Sequence, residues 1–314
     1  MPRAQLTQTS SLVGLGLLIF SICCATPRPA HAPTSQTPLF SFGVIADIQY
    51  CDCAPKRTRH YRSALPKLAE AITVLNAKKL AFVIHLGDFI NRDFASFAAP
   101  MTLYQQLEMP HYHVLGNHDF SVDPTQKQDV LQVFGLQKGY YDFSRDGWRF
   151  IVLDGNDISL YAWPKSSPQY AQAMSMFDQL HHQGALHAKK YNGAVSDEQL
   201  TWLKGQLDDA ARRGQRVVLF CHFPIFPPHK LNLWNATQLK TLIEPYDGVV
   251  AYMNGHNHKG NYGVDKGIHY VTFHGMVETP ETNAFATIDV YPDHLTIVGY
   301  GREPSRTLAL PMPR

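Results

Sequence analysis

Residues 112–119 read Tyr-His-Val-Leu-Gly-Asn-His-Asp: an apolar run, Tyr112 to Leu115, that breaks at a glycine into an amide, an imidazole and a carboxylate. Apolar runs this short read as strands buried on both faces, the kind that forms where helices cover a sheet. A strand that stops at Gly116 delivers Asn117, His118 and Asp119 to its carboxyl end. In α/β sheets groups at those ends converge, because neighbouring strands open onto one crevice.

The same pattern recurs in both directions along the chain. Upstream, Phe40 to Ala46 runs into Asp47-Ile48-Gln49, and Ala81 to Leu86 into Gly87-Asp88. Downstream, Arg216 to Phe220 leads to Cys221-His222-Phe223-Pro224, and Val249 to Met253 to Gly255-His256-Asn257-His258; Phe150 to Leu153 is a further run. Taken singly, each cluster has an ordinary reading. Asp47 and Asp88 suit turns or helix caps, Asn117 an Asx turn, His222 a hydrogen-bonded core position, and His256-x-His258 a weak surface pair. Five such clusters at five strand ends point instead to one site of converging ligands.

Between the runs, Leu65 to Leu75 has apolar residues at helical spacing. Ser196 to Ala211 places Leu200, Leu203 and Leu207 on one face behind a Ser196-x-x-Gln199 capping box. After residue 254 the texture turns to hairpins, with turn residues from Gly263 to Gly267 and strand-like Ile268 to Phe273, Ala284 to Tyr291 and Leu295 to Gly299. The pattern predicts a mixed α/β fold with antiparallel closing strands. Gly155 to Gly193 shows little periodicity and is expected to be an irregular insertion, a candidate lid.

Apolar residues make up 45% of the 314 and charged residues 17%, which fits a soluble chain with a sizeable core and excludes disorder and coiled coil. The first 32 residues hold no acid, carry Arg3, run apolar from Ser11 to Ala25 and end in Ala30-His31-Ala32. That predicts a signal peptide cleaved near Ala32, and hence an exported, periplasmic or secreted protein. The apolar run falls short of the ~20 residues a bilayer span needs, so no stable membrane span is expected. Residues 33–38 read as a linker and 39–314 as a single domain. Without Arg3 and Arg28 the 28 basic residues become 26, equal to the 26 acidic ones, which leaves no footprint for nucleic acid. Outside the leader only Cys51, Cys53 and Cys221 remain; their odd number argues against a disulfide framework.

The blocks Asp47-x-Gln49, Gly87-Asp88, Gly116-Asn117-His118-Asp119, a lone His222 and Gly255-His256-x-His258 resemble those of calcineurin-like metallophosphoesterases. Phe42 to Tyr50, Tyr191-Asn192-Gly193, Trp234-Asn235, Val277 to Pro280 and Gly301 to Arg306 are similar to one branch, the manganese-dependent ADP-ribose/CDP-alcohol diphosphatases. The resemblance implies an α/β fold, a metallophosphoesterase-type sandwich of two mixed β-sheets flanked by helices. It implies two divalent cations bridged by Asp88, one held by Asp47, Gln49 and His258, the other by Asn117, His222 and His256. Oxygen and imidazole donors without thiolate favour Mn²⁺, with Fe or Mg²⁺ as alternatives, and the Gln49 amide in place of an imidazole moves the site further from zinc. Cations about 3.5–4 Å apart activate water and neutralise the oxygens on phosphorus.

By the same resemblance His118 and Asp88 are the catalytic pair, His118 stabilising charge or protonating the leaving oxygen. Asp119 reads as a loop-organising acceptor. One departure is Asn91, where many relatives place the aspartate that orients the catalytic histidine; a neutral partner stabilises imidazolium less. Tyr61 and Arg62, with Arg59, and Asn192 with Tyr191 are the candidate substrate contacts. Phe223, Trp234 and Tyr262 are aromatics that either stack on a base or pack. The implied reaction splits the diphosphate of a small-molecule nucleoside diphosphate derivative, ADP-ribose or a CDP-alcohol, releasing a nucleoside monophosphate. Two other readings stay open: a broader phosphodiesterase acting on cyclic nucleotides or simple diesters, and an exported metal- or phospho-ligand-binding protein without turnover.

Overall fold

Along the first strand Phe42 and Val44 point to one face and Ile45 to the other, and all three are fully buried. That double burial is why the strand reads as an unbroken apolar run rather than an alternating one. The structure is a computed structural model that describes residues 37–311, together with 1–2 and 4–5. The rest of the leader at 1–32 and all but the last two residues of the 33–38 linker lie outside the described residues.

The strands in chain order are β1 (Phe40–Ile45), β2 (Val83–His85), β3 (His111–His113), β4 (Tyr141–Arg145), β5 (Trp148–Val152), β6 (Ile158–Ser159) and β7 (Gly193–Ala194). There follow β8 (Arg216–Phe220), β9 (Val249–Asn254), β10 (Lys259–Asp265), β11 (Ile268–His274), β12 (Ala284–Val290), β13 (His294–Gly301) and β14 (Arg306–Ala309). They form two six-stranded sheets, ordered β14-β13-β12-β1-β2-β3 and β10-β11-β9-β8-β5-β4, and a two-stranded ribbon of β6 and β7. Both large sheets are mixed. β1 lies parallel to β2 and antiparallel to β12, while β8 lies parallel to β5 and β9 and the edge strands β4 and β10 run antiparallel. The sheets face one another as the expected sandwich.

Between them Phe42, Phe82, Phe150 and Phe220 form a ring cluster, Phe42 stacked on Phe82 at 4.7 Å and edge-on to Phe150 at 5.6 Å. Each buried phenyl contributes roughly 1.5–3 kcal/mol by leaving water. The outer faces are covered by helices: Leu68, Ala71, Ile72 and Leu75 of Ala64–Asn76 pack on the first sheet, and Leu200, Leu203 and Leu207 of Asp197–Arg212 on the second. The consequence for function is that β1, β2 and β3 of one sheet and β8 and β9 of the other bring their carboxyl-end loops to the same end of the sandwich.

Several expectations are corrected. Residues 155–193 are not irregular, because Pro168–His182 forms a helix, capped by the Ser167 hydroxyl and started by a proline, and β6 pairs with β7. The weak amphipathicity of that helix, with only Ala173 and Phe177 buried, hid it. Only half of the capping box forms. Ser196 accepts from the Gln199 amide, but the Gln199 side chain spans instead to Asp154 and Asp157. The edge strands β4 and β10 have no apolar run in the sequence, because they are half-exposed. Cys51 and Cys53 are joined as a disulfide, so the odd count reflects one pair plus the buried free thiol of Cys221. Among the described residues no helix is long and apolar enough to cross a membrane.

Candidate metal centre

Asp47, Gln49, Asp88 and His256 all have positive φ, between 43° and 64°. For residues with a Cβ that conformation costs about 1–2 kcal/mol each, and such strain collects at functional sites. Here it turns each chain sharply where its strand ends, so the side chain points across the crevice. The glycines make room for this. A Cβ on Gly116 would strike the backbone and carboxylate of Asp88, and one on Gly255 would sit 2.6 Å from Asp47 Oδ2.

Each imidazole has one nitrogen committed outward and the other turned in. His222 donates from Nδ1 to Leu86 O at 2.8 Å, which leaves Nε2 3.4 Å from Asp88 Oδ2 and 3.1 Å from His256 Nδ1. His256 donates from Nε2 to Asn192 Oδ1 at 3.0 Å. His258 donates from Nδ1 to Glu278 Oε1 at 2.8 Å, and its Nε2 lies 3.3 Å from Asp47 Oδ1. An acceptor on the outer nitrogen fixes tautomer and ring orientation, as supporting partners of metal-binding histidines do. Two clusters result: Asp88 with His222 and His256, and Asp47 with Asp88 and His258. In each, the candidate ligand atoms lie within 4.8 Å of one another, all the residues are buried, and Asp88 belongs to both.

Two further observations fit a cation pair. Gln49 Oε1 and Asn117 Oδ1 are buried acceptors without a hydrogen-bond partner, a deficit of about 1–3 kcal/mol each unless something positive meets them. The charges of the apo site are equally telling. Burial pushes Asp88 up, yet His222 and His118 pull it well below the ordinary carboxylate range. His222, despite burial, is pushed up to about 9 by Asp88, while burial and His222 hold His256 well below its usual value. A proton on His222 Nε2 thus faces Asp88 and His256, and a cation entering there would displace it. Asp47, Gln49, Asp88, His222, His256 and His258 are brought together in this crevice, and Asn117 is buried next to His118, whose N–H holds Asp88.

His118 lies at its edge. Its backbone N–H donates to Asp88 Oδ1 at 2.7 Å and its Nδ1–H to the Asn91 carbonyl at 2.8 Å, which leaves Nε2 facing the cleft. The orienting group is therefore a backbone oxygen, and the Asn91 side chain goes to Cys51 Sγ instead. Asp119 accepts from Gly116, Asp88, Phe89 and Ile90 amides, which ties the two loops together.

The substrate contacts fare less well. Arg62 turns outward to Asp52 at 2.5 Å and is corrected to a surface ion pair. Tyr61 is buried against Cys51 and Val277, and lines the cleft beside His118 with Arg59. Asn192 is fully buried and committed to His256 and to the His187 and Lys230 carbonyls, so it positions a ligand rather than meeting substrate. Phe223 and Trp234 are core residues, whereas Tyr191 stays exposed beside His256. Glu278, the partner of His258, lies in the Val277–Pro280 block similar to the family branch, but nothing in that block ties it to a histidine 20 residues away. Asn192→Ala is expected to weaken one cation by roughly 10–100-fold, the cost typical of losing such a support. Isothermal titration of metal-free protein checks this.

A sandwich of mixed sheets whose strand-end loops build two carboxylate-bridged ligand clusters defines a dinuclear metal-dependent phosphohydrolase. The chain belongs to the calcineurin-like phosphoesterase family, whose model matches residues 40–260. It is 35% identical over 300 residues to an Arabidopsis thaliana protein named manganese-dependent ADP-ribose/CDP-alcohol diphosphatase, covering 85% of this chain and 96% of that one. The mouse protein of the same name is 32% identical over 326 residues, 89% and 96% of the two chains. A solved dimetal phosphatase from Danio rerio superposes with a TM-score of 0.79 at 26% identity, over 87% of this chain and all of the other.

Proposed function

We propose that this protein hydrolyses the diphosphate bond of nucleoside diphosphate derivatives, with ADP-ribose and CDP-alcohols as substrates and Mn²⁺ as the working cation. The relatives' names support the substrate class and the metal. The observation in the molecule itself is a cleft of about 780 Å³ beside His118, lined by Lys56, Arg57, Arg59 and Arg92. Arg59 leans on Glu278 at 3.9 Å and Arg92 on Asp93 at 3.6 Å; Lys56 and Arg57 make no ion pair among the described residues. The leaving half of a diphosphate is itself a phosphate, which gains negative charge as the P–O bond breaks. Four cations on the His118 side suit that leaving group better than the alkoxide of a simple diester.

Asp47, Gln49 and His258 would hold one cation and Asn117, His222 and His256 the other, with Asp88 shared. When bound, the pair supplies Lewis acidity and charge neutralisation at phosphorus. His118, held by Asn91 O, presents Nε2 to the leaving oxygen. Nothing in the Asn91 side chain bears on that orientation, which removes the motive for a binding protein without turnover. The leader at 1–32 supports action after export, on external nucleotides; recovery of only unprocessed chain from the cytosol would refute this.

The test recharges metal-free protein with Mn²⁺, Mg²⁺ or Zn²⁺ and assays ADP-ribose, CDP-choline, a cyclic nucleotide and an aryl phosphodiester. Mn²⁺-dependent release of AMP and CMP is expected. Turnover confined to the cyclic or aryl ester would move the function to phosphodiesterase.

A further inference from the structure

The loop 275–279 that carries Glu278 is held from two sides. Toward the crevice, Met276 N donates to Ala46 O at 2.9 Å and Val277 N to Asp47 O at 3.0 Å, while Gly275 N reaches His258 O at 3.2 Å. On the other side its carbonyls converge on one atom, Nζ of Lys67. Glu278 O is 3.0 Å away, Thr279 O 2.9 Å, and Met276 O completes the set. Arg302 adds an Nη2 donation to Gly275 O.

Lys67 stands on the helix Ala64–Asn76, is only 2% exposed, and forms no ion pair among the described residues. A buried lysine without a close ion pair is unusual, since such a charge is expensive unless compensated. The compensation is three carbonyl dipoles, with a smaller pull from the Glu278 carboxylate, and the fit to the carbonyls is mutual. Three carbonyls aimed at one buried point repel one another unless a centre with three diverging N–H bonds sits there, which an ammonium offers. A guanidinium, planar and forked, does not match that arrangement. Burial, followed by the charge of Arg302, lowers Lys67 to about 8, so the ammonium form still prevails at neutral pH. Thr279, at φ 65°, is kept in a left-handed turn by the same contacts.

We propose that Lys67 is a positioning residue for one half of the metal centre: by fixing the 275–279 loop it sets Glu278 against His258 and braces the Asp47 backbone. This rests on the two-cation reading of the crevice and not on the identity of the substrate. The His222–His256 half shares Asp47 only through the His256 N–H, 3.1 Å from Oδ2, and its imidazoles are braced by Leu86 O and Asn192, so Lys67 acts on the two cations unequally.

The experiment counts Mn²⁺ sites by electron paramagnetic resonance titration of the full chain as wild type, Lys67→Ala, Lys67→Met and Lys67→Arg, with melting of each metal-free protein alongside. In the Ala and Met variants one site is expected to weaken by roughly 10–100-fold, the range for a lost supporting contact, with the other nearly unchanged. Methylammonium added to Lys67→Ala should restore the weakened site, and Lys67→Arg should not. The proposal is overturned if both sites keep wild-type affinity, or if both weaken in parallel with a lowered Tm, which is what loss of plain core stability would give. A wild type that binds no more than one Mn²⁺ would instead strike at the two-cation reading.

Discussion

Asp88→Asn is expected to lower kcat/KM for ADP-ribose by more than about 10³-fold and to leave at most one tightly bound metal per chain, because the ion pair and its charge neutralisation act as a unit. Each oxygen of this carboxylate is already engaged by a donor. Oδ1 accepts from His118 N at 2.7 Å and Oδ2 from Gln49 Nε2 at 2.7 Å, with His222 Nε2 at 3.4 Å. An asparagine must point its NH₂ at one of these donors whichever way it is turned. That leaves a buried mismatch of about 1–3 kcal/mol besides the lost charge. His222 also loses the partner that pushes it up to about 9, so its proton should be held less tightly in the variant. Metal analysis of the purified variant, with kinetics on the same sample, decides the matter. Two retained metals with near-normal turnover would show that Asp88 does not bridge.

The parts of this site visible in the sequence share one property: each is local. Asp47, Asp88, Asn117, His222 and His256 stand within a few residues of the end of an apolar run, so strand end and ligand are read together. The supports are not local. Glu278 is 20 residues from His258, and Lys67 lies 211 residues from the Glu278 carbonyl it binds. Only the register of β11 beside β9, and the helix laid over β1, bring them near. Nor does a sequence give direction. Arg62 follows the first ligand loop in sequence yet faces solvent on Asp52, and Asn192 is sealed behind His256. At Asn91 the side-chain identity carries no orienting role, because the chain uses the backbone carbonyl there. The sandwich itself was legible because its central strands are buried on both faces; the half-exposed edges β4 and β10 were not.

His118→Ala separates what this side chain does from what the cations do. The backbone N–H that holds Asp88 survives the substitution, and His118 is in neither ligand cluster, so metal content should stay at the wild-type level. Turnover should nevertheless fall by roughly 10²–10⁴-fold, the usual worth of a placed proton donor. The size of the loss should follow the basicity of the leaving oxygen. An alkyl phosphodiester releases a strongly basic alkoxide and should lose most; a nitrophenyl ester releases a weak base and should lose least. The leaving phosphate of ADP-ribose is also a weak base, and Lys56, Arg57, Arg59 and Arg92 line the cleft where its charge develops, so its loss should be close to that of the nitrophenyl ester. Burial lowers the His118 pKa against the pull of Asp88, so Nε2 gives up a proton readily once it holds one. An equal loss with all three substrates would instead assign His118 to stabilising charge on phosphorus, and no loss with any of them would remove it from the reaction.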